Sequence, residues 1–336
     1  QARKNFGKAI ELRPDWTLGH SLLGASYLFD EPKDFKKAEE YMSKTVELMP
    51  DESRPHIALG DAYRAQQDLE KALASYQKAA SLSPDDEQAY SKAGHAHTFL
   101  GNYEEARNSF AKSVTLSTFP SNSLKFIAYT YLYEGDHAKG MAWLKEQTSK
   151  LDEMGLPEDR LLSEKVEILE DCMWTAFYME NAEEMKALIE QIKPLSLEMA
   201  TSQNNEESMM MYNAQTHFRE GMLAVLEGDL DKAKEKAAAQ KAAFAGITNP
   251  NKVKPHHALL GKIAMEENKY EDAVSHYEKG NHNNMHVKYM LAKANQKAGN
   301  AEKAGQLLKE ISAYNFNALG YALVNKDVEA MLASKS

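Results

Sequence analysis

The sequence predicts an all-α solenoid of antiparallel helix pairs. Small residues recur at a fixed step: Gly60 to Gly94 and Gly94 to Ala128 are each 34 residues apart, and Gly24 precedes Gly60 by 36. A second small residue, at Ala38, Ala72, Ala106 and Gly140, keeps the step of 34 throughout. Each interval closes near a helix breaker, at Pro14, Pro50 and Pro84, with Thr118 departing at the fourth. Self-similarity at this period marks a repeat built from one supersecondary unit.

The elements follow from that phase. A ring stands three residues after the first small position, as Tyr27, Tyr63, His97 and Tyr131, the histidine being the exception. Met42, Tyr76, Phe110 and Leu144 stand four after the second. Gly60 and Ala72 are small where two helices of a pair are expected to cross. Tyr63 and Tyr76 are expected to fill the space towards the next pair. Asp68 and Asn102 suit helix N-termini, where a side-chain oxygen accepts an orphan amide hydrogen. Pro84 ends a second helix. The two extra residues of the first step fall at Asp30-Glu31-Pro32-Lys33, a lengthened turn that costs little.

Ile57-Ala58-Leu59-Gly60-Asp61-Ala62-Tyr63, followed by Asp68-Leu69-Glu70-Lys71-Ala72, resembles the tetratricopeptide repeat (TPR) family. Gly101-Asn102-Tyr103-Glu104-Glu105-Ala106 carries the same likeness. The resemblance implies a right-handed superhelix whose first helices line a concave, partner-binding face. Residues 1–14 read as a half repeat, the second helix of a pair, which suggests a fragment of a longer or processed protein. Residues 15–154 make an N-terminal array of four units. Residues 155–213 form a degenerate helical unit and junction, with a long helix over 158–179, a second helix stopped by Pro194, and a polar loop over 195–207. The pattern returns at Gly221, Gly261 and Ala292, giving three C-terminal units over 214–312. Small capping helices are expected over 313–336.

Forty Lys and Arg against fifty Asp and Glu give a net charge of −10, which argues against a nucleic-acid partner. Cys172 is the single cysteine, so no intramolecular disulfide and no zinc-finger cysteine pattern is possible. It is expected to pack as a small apolar residue. No run of 18 apolar residues reads as a transmembrane helix, and no signal peptide is visible. Cytoplasmic and periplasmic or envelope settings are both compatible.

Catalytic signatures are missing: there is no G-x-S-x-G, H-E-x-x-H or phosphate-loop pattern. No cofactor is called for. His256, His257, His276, His282 and His286 cluster, and His282 and His286 are four apart. They are weak metal candidates against a reading as solvated loop and helix-end residues. Met209-Met210-Met211 opens an apolar helix expected to pack at the junction. Lys232, Lys234, Lys236 and Lys241 are expected on a solvated outer face.

By the resemblance, the binding face maps to Phe29, Asp61, Arg64, His95, Phe99, Lys125, Tyr129 and Tyr133, with Phe99, Tyr129 and Tyr133 as its aromatic centre. The positions of a chaperone-tail clamp hold Ser21, Ala25, Ala58, Gln88 and Lys92 in one frame and Ile57, Asp61, Lys92, Asn122 and Phe126 in the next, so neither frame supplies its lysines and asparagines. The expected function is a non-enzymatic scaffold binding a peptide, helix or protein. The alternative is the regulatory or substrate-recruiting solenoid of a larger enzyme whose catalytic domain lies upstream of Gln1.

Overall fold

In a computed structural model that describes residues 1–334, the 34-residue phase resolves into a recurrent turn. Seven helix pairs close on one residue with positive φ: Gln67, Gly101, Gly135, Glu180, Gly228, Asn268 and Gly299. The next amide then reaches back to a carbonyl five residues earlier. Asp68 N donates to Tyr63 O at 3.0 Å, Asn181 N to Ala176 O at 3.0 Å, and Asn300 N to Asn295 O at 2.8 Å. This is the left-handed helix terminus with its six-to-one hydrogen bond. The following helix starts at once, often on an Asp or Asn cap: Asp68 Oδ1 accepts from Lys71 N at 3.3 Å and Asp229 Oδ1 from Lys232 N at 3.0 Å. Asn102 stands at the same place but makes no side-chain cap bond.

Among the described residues there are eighteen α-helices and no strand. They fall into two compact units. The first comprises residues 1–130 with Asn315–Asn317. It holds α1 (Ala2–Leu12), α2 (Thr17–Phe29), α3 (Phe35–Leu48), α4 (Ser53–Ala65), α5 (Leu69–Leu82), α6 (Glu87–Phe99) and α7 (Tyr103–Leu116). Each of these helices packs on its neighbour in sequence from α1 to α7, the α-solenoid arrangement expected from the period. The helix α8 (Ser121–Glu134) contributes residues up to Thr130 to this unit.

The second unit starts at Tyr131. It holds α9 (His137–Lys150), α10 (Glu158–Tyr178), α11 (Ala182–Ser202), α12 (Glu206–Leu226), α13 (Leu230–Ala243), α14 (Lys254–Glu266), α15 (Tyr270–Tyr277), α16 (Met285–Lys297), α17 (Ala301–Ser312) and α18 (Leu319–Ala333). Successive helices again pack in order, and α18 lies against both α16 and α17.

Within a pair, the second ring reaches the next pair, as the spacing suggested: Tyr76 clusters with Ala89, Ala93 and Ala96 of α6, and Phe110 meets Phe126 of α8 at 5.4 Å. The same ring also lies on the glycine of its own pair. A Cβ built on Gly60 would sit 2.5 Å from Tyr76, and one on Gly94 would sit 2.6 Å from Phe110. Gly261 and Tyr277 repeat the contact, at 2.9 Å. Tyr76, Phe110 and Tyr277 are all buried, so the glycine makes room for a large, fully buried side chain of its pair.

Several expectations are corrected. Pro194 does not stop a helix: α11 runs through it to Ser202. A proline inside a helix costs about 3 kcal/mol or more. Burial of Met185, Leu188, Ile189, Ile192 and Ala200, on both sides of the proline, offsets it. The polar loop over 195–207 therefore shrinks to three residues, 203–205, and Asn205 caps α12 by accepting from Ser208 N at 2.8 Å. The C-terminal segment is one fifteen-residue helix, not several small ones, because Ala322, Leu323, Val324 and Val328 form one continuous buried stripe.

Candidate interaction site

On the first unit, the residues that follow Gly60 in α4 build a charged cluster. Asp61 accepts from the Tyr76 hydroxyl at 2.7 Å and from Lys92 Nζ at 2.8 and 2.9 Å. Arg64 Nε stands 4.0 Å from the same carboxylate, one turn along α4. Burial and the Asp61 charge push the Tyr76 hydroxyl far above its ordinary pKa, so it remains a donor. Nearby, His95 is packed edge-on against Phe110 at 5.2 Å and Phe126 at 4.5 Å. Burial, with Arg64 and Lys92 adding to it, lowers the His95 pKa to about 3, so its ring is neutral at pH 7.

Arg64 also holds an extended piece of chain. Asn315 Nδ2 donates to the Arg64 carbonyl at 2.7 Å, and Arg64 Nη1 donates to the Asn315 carbonyl at 3.2 Å. The guanidinium lies over the Phe316 ring, 4.3 Å from its centroid. Asn315 is buried while Phe316 is exposed. The site thus reads an amide and an adjacent ring through two hydrogen bonds and a cation–π contact.

The structure therefore brings Asp61, Arg64 and His95 into one neighbourhood. Phe29 lies at the C-terminus of α2 with 66% of its surface exposed. Phe99 and Lys125 are half-buried. Tyr129 and Tyr133 are buried. Tyr133 meets the Tyr321 ring of α18 edge-on at 5.7 Å, and Tyr129 meets Phe126 at 5.9 Å.

The second unit carries two adjoining cavities that share Phe177, Met222, Ala258, His286 and Val287. The smaller is about 280 Å³ and is lined by tyrosines, Lys262, Lys293 and Asp327. Asp327 Oδ2 accepts from Tyr178 and from Tyr289, each at 2.9 Å, which ties α18 to α10 and α16. The larger, about 490 Å³, is lined by Trp174, Phe218, Met285, Leu319 and Leu323. Neither cavity was legible as a site in the sequence. Residues 178 and 327 are 149 positions apart, so no local motif joins them.

The histidines are not uniformly solvated, which corrects the sequence reading. His256 is buried, with Nδ1 3.2 Å from Gln240 Oε1. Burial, then the neighbouring His257 and Lys241, lower its pKa to about 4. His257 and His276 approach Nδ1 to Nδ1 at 3.3 Å. His282 Nε2 lies 3.0 Å from the Tyr277 carbonyl, outside the helices, while His286 sits in the first turn of α16 between Phe177 and Tyr178. Among the described residues, no three His, Cys, Asp or Glu side chains are grouped to hold a metal ion. No described helix is long and apolar enough to cross a membrane. Cys172 is buried, and desolvation pushes its thiol up to about 12. The lysines of α13 reach neighbouring acids, with Lys234 Nζ 2.6 Å from Glu267 and Lys236 Nζ 2.8 Å from Glu220.

Three family models match the chain. One, described as TPR repeat, covers residues 60–101; two described as Tetratricopeptide repeat cover residues 87–118 and 264–326. No curated protein sequence matches. Similar solved structures include a tetratricopeptide repeat protein from Parabacteroides merdae ATCC 43184, at 17% identity, 91% of this chain, 98% of that chain and TM-score 0.48. PilW, a type IV pilus biogenesis factor, is similar at 14% identity, 69% of this chain, 95% of that chain and TM-score 0.44. MamA is similar at 19% identity over 45% of this chain and 87% of that one, with TM-score 0.40.

Proposed function

The chain is a tetratricopeptide repeat protein, and from that premise we propose that it works as a non-enzymatic scaffold that binds a protein partner through the first-helix face of its first unit. The observation that carries the reading is the hold of Arg64 on residues 315–317. Two hydrogen bonds and a stacked ring fix an extended segment without any packed helix. A partner segment with a side-chain amide next to an aromatic ring offers the same contacts. Arg64 is the residue we assign to recognition, with Asp61 and Lys92 positioning it. Phe29, His95, Phe99 and Lys125 border the surface we assign to the partner, and Tyr129 supports it from beneath.

The test uses a fluorescein-labelled peptide of residues 312–318 and fluorescence anisotropy. The full chain carrying Asn315→Ser with Phe316→Ala frees Arg64 and is expected to bind the peptide at least about tenfold more tightly than the unaltered chain, since the internal segment no longer competes. Adding Arg64→Ala should remove the gain. Equal affinities in all three proteins would refute the reading.

A further inference from the structure

The two units carry the same tyrosine in the same setting, with opposite chemistry beside it. Tyr76 lies on Gly60, and Tyr277 lies on Gly261. The residue after Gly60 is Asp61, which accepts the Tyr76 hydroxyl at 2.7 Å. The residue after Gly261 is Lys262, a donor only. The Tyr277 hydroxyl is buried with no hydrogen-bond partner among the described residues, and Tyr277 is one of the residues that line the 280 Å³ cavity. A buried hydroxyl left unpaired destabilises the fold unless something bonds to it.

The groups around that hydroxyl mostly donate. Lys262 Nζ is tied to Glu266 at 2.6 Å. Among the described residues Lys293 makes no ion pair; its ammonium stands 5.4 Å from the Tyr289 ring centroid. His286 is held neutral, its pKa lowered to about 4 by burial and then by Lys262 and Lys293. Two acids also line the cavity. Asp327 already takes the Tyr178 and Tyr289 hydroxyls, and Glu180 lies in the turn after α10. The Glu266 carboxylate bears on the Tyr277 hydroxyl but is tied to Lys262, so among the described residues no acceptor bonds the hydroxyl itself, where in the first unit Asp61 does so for Tyr76.

We propose that the second unit binds a carboxylate carried on an apolar or aromatic body. The carboxylate accepts from the Tyr277 hydroxyl and the Lys293 ammonium, in the place that Asp61 fills for Tyr76. The body occupies the adjoining 490 Å³ chamber against Trp174, Phe218 and Leu323. Together the chambers match the volume of a small-ligand site. The carboxylate belongs either to a free small acid or to an acidic side chain of a partner segment.

Titration of the full chain with 4-phenylbutyrate tests this, read by Trp174 emission in a Trp16→Phe, Trp143→Phe background. A capped Phe-Asp dipeptide amide, whose only carboxylate is a side chain, is titrated in parallel. Saturable quenching by the acid supports a free ligand; quenching by the dipeptide alone supports a partner segment. In either case Tyr277→Phe and Lys293→Gln should each weaken binding by about tenfold, the scale of one hydrogen bond to a charged group. Tyr277→Phe keeps the fold, because the hydroxyl has no partner to lose. The neutral analogue 4-phenylbutanol should bind at least about tenfold more weakly than the acid if the free acid is the ligand. The proposal is overturned if neither carboxylate binds, if acid and alcohol bind alike, or if both variants bind as the unaltered chain does.

Discussion

The Tyr76 hydroxyl donates to Asp61 across 2.7 Å, in a position where Asp61 also accepts from Lys92. Removing the hydroxyl therefore strips a half-buried carboxylate of one donor. Tyr76→Phe should cost about 1–2 kcal/mol in urea unfolding. Tyr277→Phe removes a hydroxyl that bonds to nothing and should leave stability unchanged or raise it. Equal losses in the two variants would contradict the pairing described for them.

The glycine beneath each ring gives a second contrast. Gly94→Ala places a methyl 2.6 Å from the Phe110 ring, and overpacking of this kind costs about 1–3 kcal/mol. Gly305, inside α17, has nothing within 4 Å of its would-be Cβ. Gly305→Ala should stabilise by about 0.5–1 kcal/mol through helix propensity alone. Thermal melts of the two single variants should move in opposite directions.

Glu180 adopts φ 56 in the turn between α10 and α11. Left-handed backbone costs a residue with a side chain about 1–2 kcal/mol. Glu180→Gly should recover about 0.5–1 kcal/mol after the added freedom of the unfolded chain is subtracted. A fall in melting temperature would contradict it.

Much of this fold was legible because its signals are local. Gly60, Gly94 and Gly261 are the small positions of the repeat on which rings lie, and Asp68 and Asn102 mark helix starts, all close in sequence to what they fix. The turn after residue 179 was legible, but its left-handed residue, Glu180, was not, because glutamate gives no sign of that backbone. Pro194 misled because its penalty is local while the burial that offsets it comes from α10 and α12. The candidate sites were less legible still. Tyr133 matches a lining position in phase, but Tyr321, far along the chain, covers it. The missing acceptor at Tyr277 could have been read from Lys262 standing where the second repeat has Asp61.

His95 and His256 are neutral in the folded chain, their pKa values lowered from 6.5 to about 3 and about 4. Burial is the first cause for both; Arg64 and Lys92 add to it for His95, and His257 and Lys241 for His256. A depressed folded-state pKa contributes stability above the unfolded value and loses it as the pH falls through the window towards the folded value. The melting temperature should therefore decline from about pH 6.5 down to about pH 4. His256→Gln should make that decline shallower, and an unchanged slope would remove His256 from the account.

Cys172 is buried, with its thiol pushed up to about 12. Thiolate, the reactive form, is scarce at neutral pH. Labelling by an aromatic disulfide reagent should proceed only as fast as the second unit opens, and urea should accelerate it in parallel with loss of helicity. Fast labelling of the folded chain would place the thiol elsewhere.

The ring that lies on each glycine is supplied by the same helix pair as the glycine. The seat of the ring is thus set inside 34 residues, and the neighbouring pair only covers its far side. A pair can be duplicated or deleted as a whole without disturbing the internal spacing of the others, whereas removing part of one separates the ring from its seat. Changes in the length of this chain during descent would then come in whole-pair increments, with the seams falling in the turns.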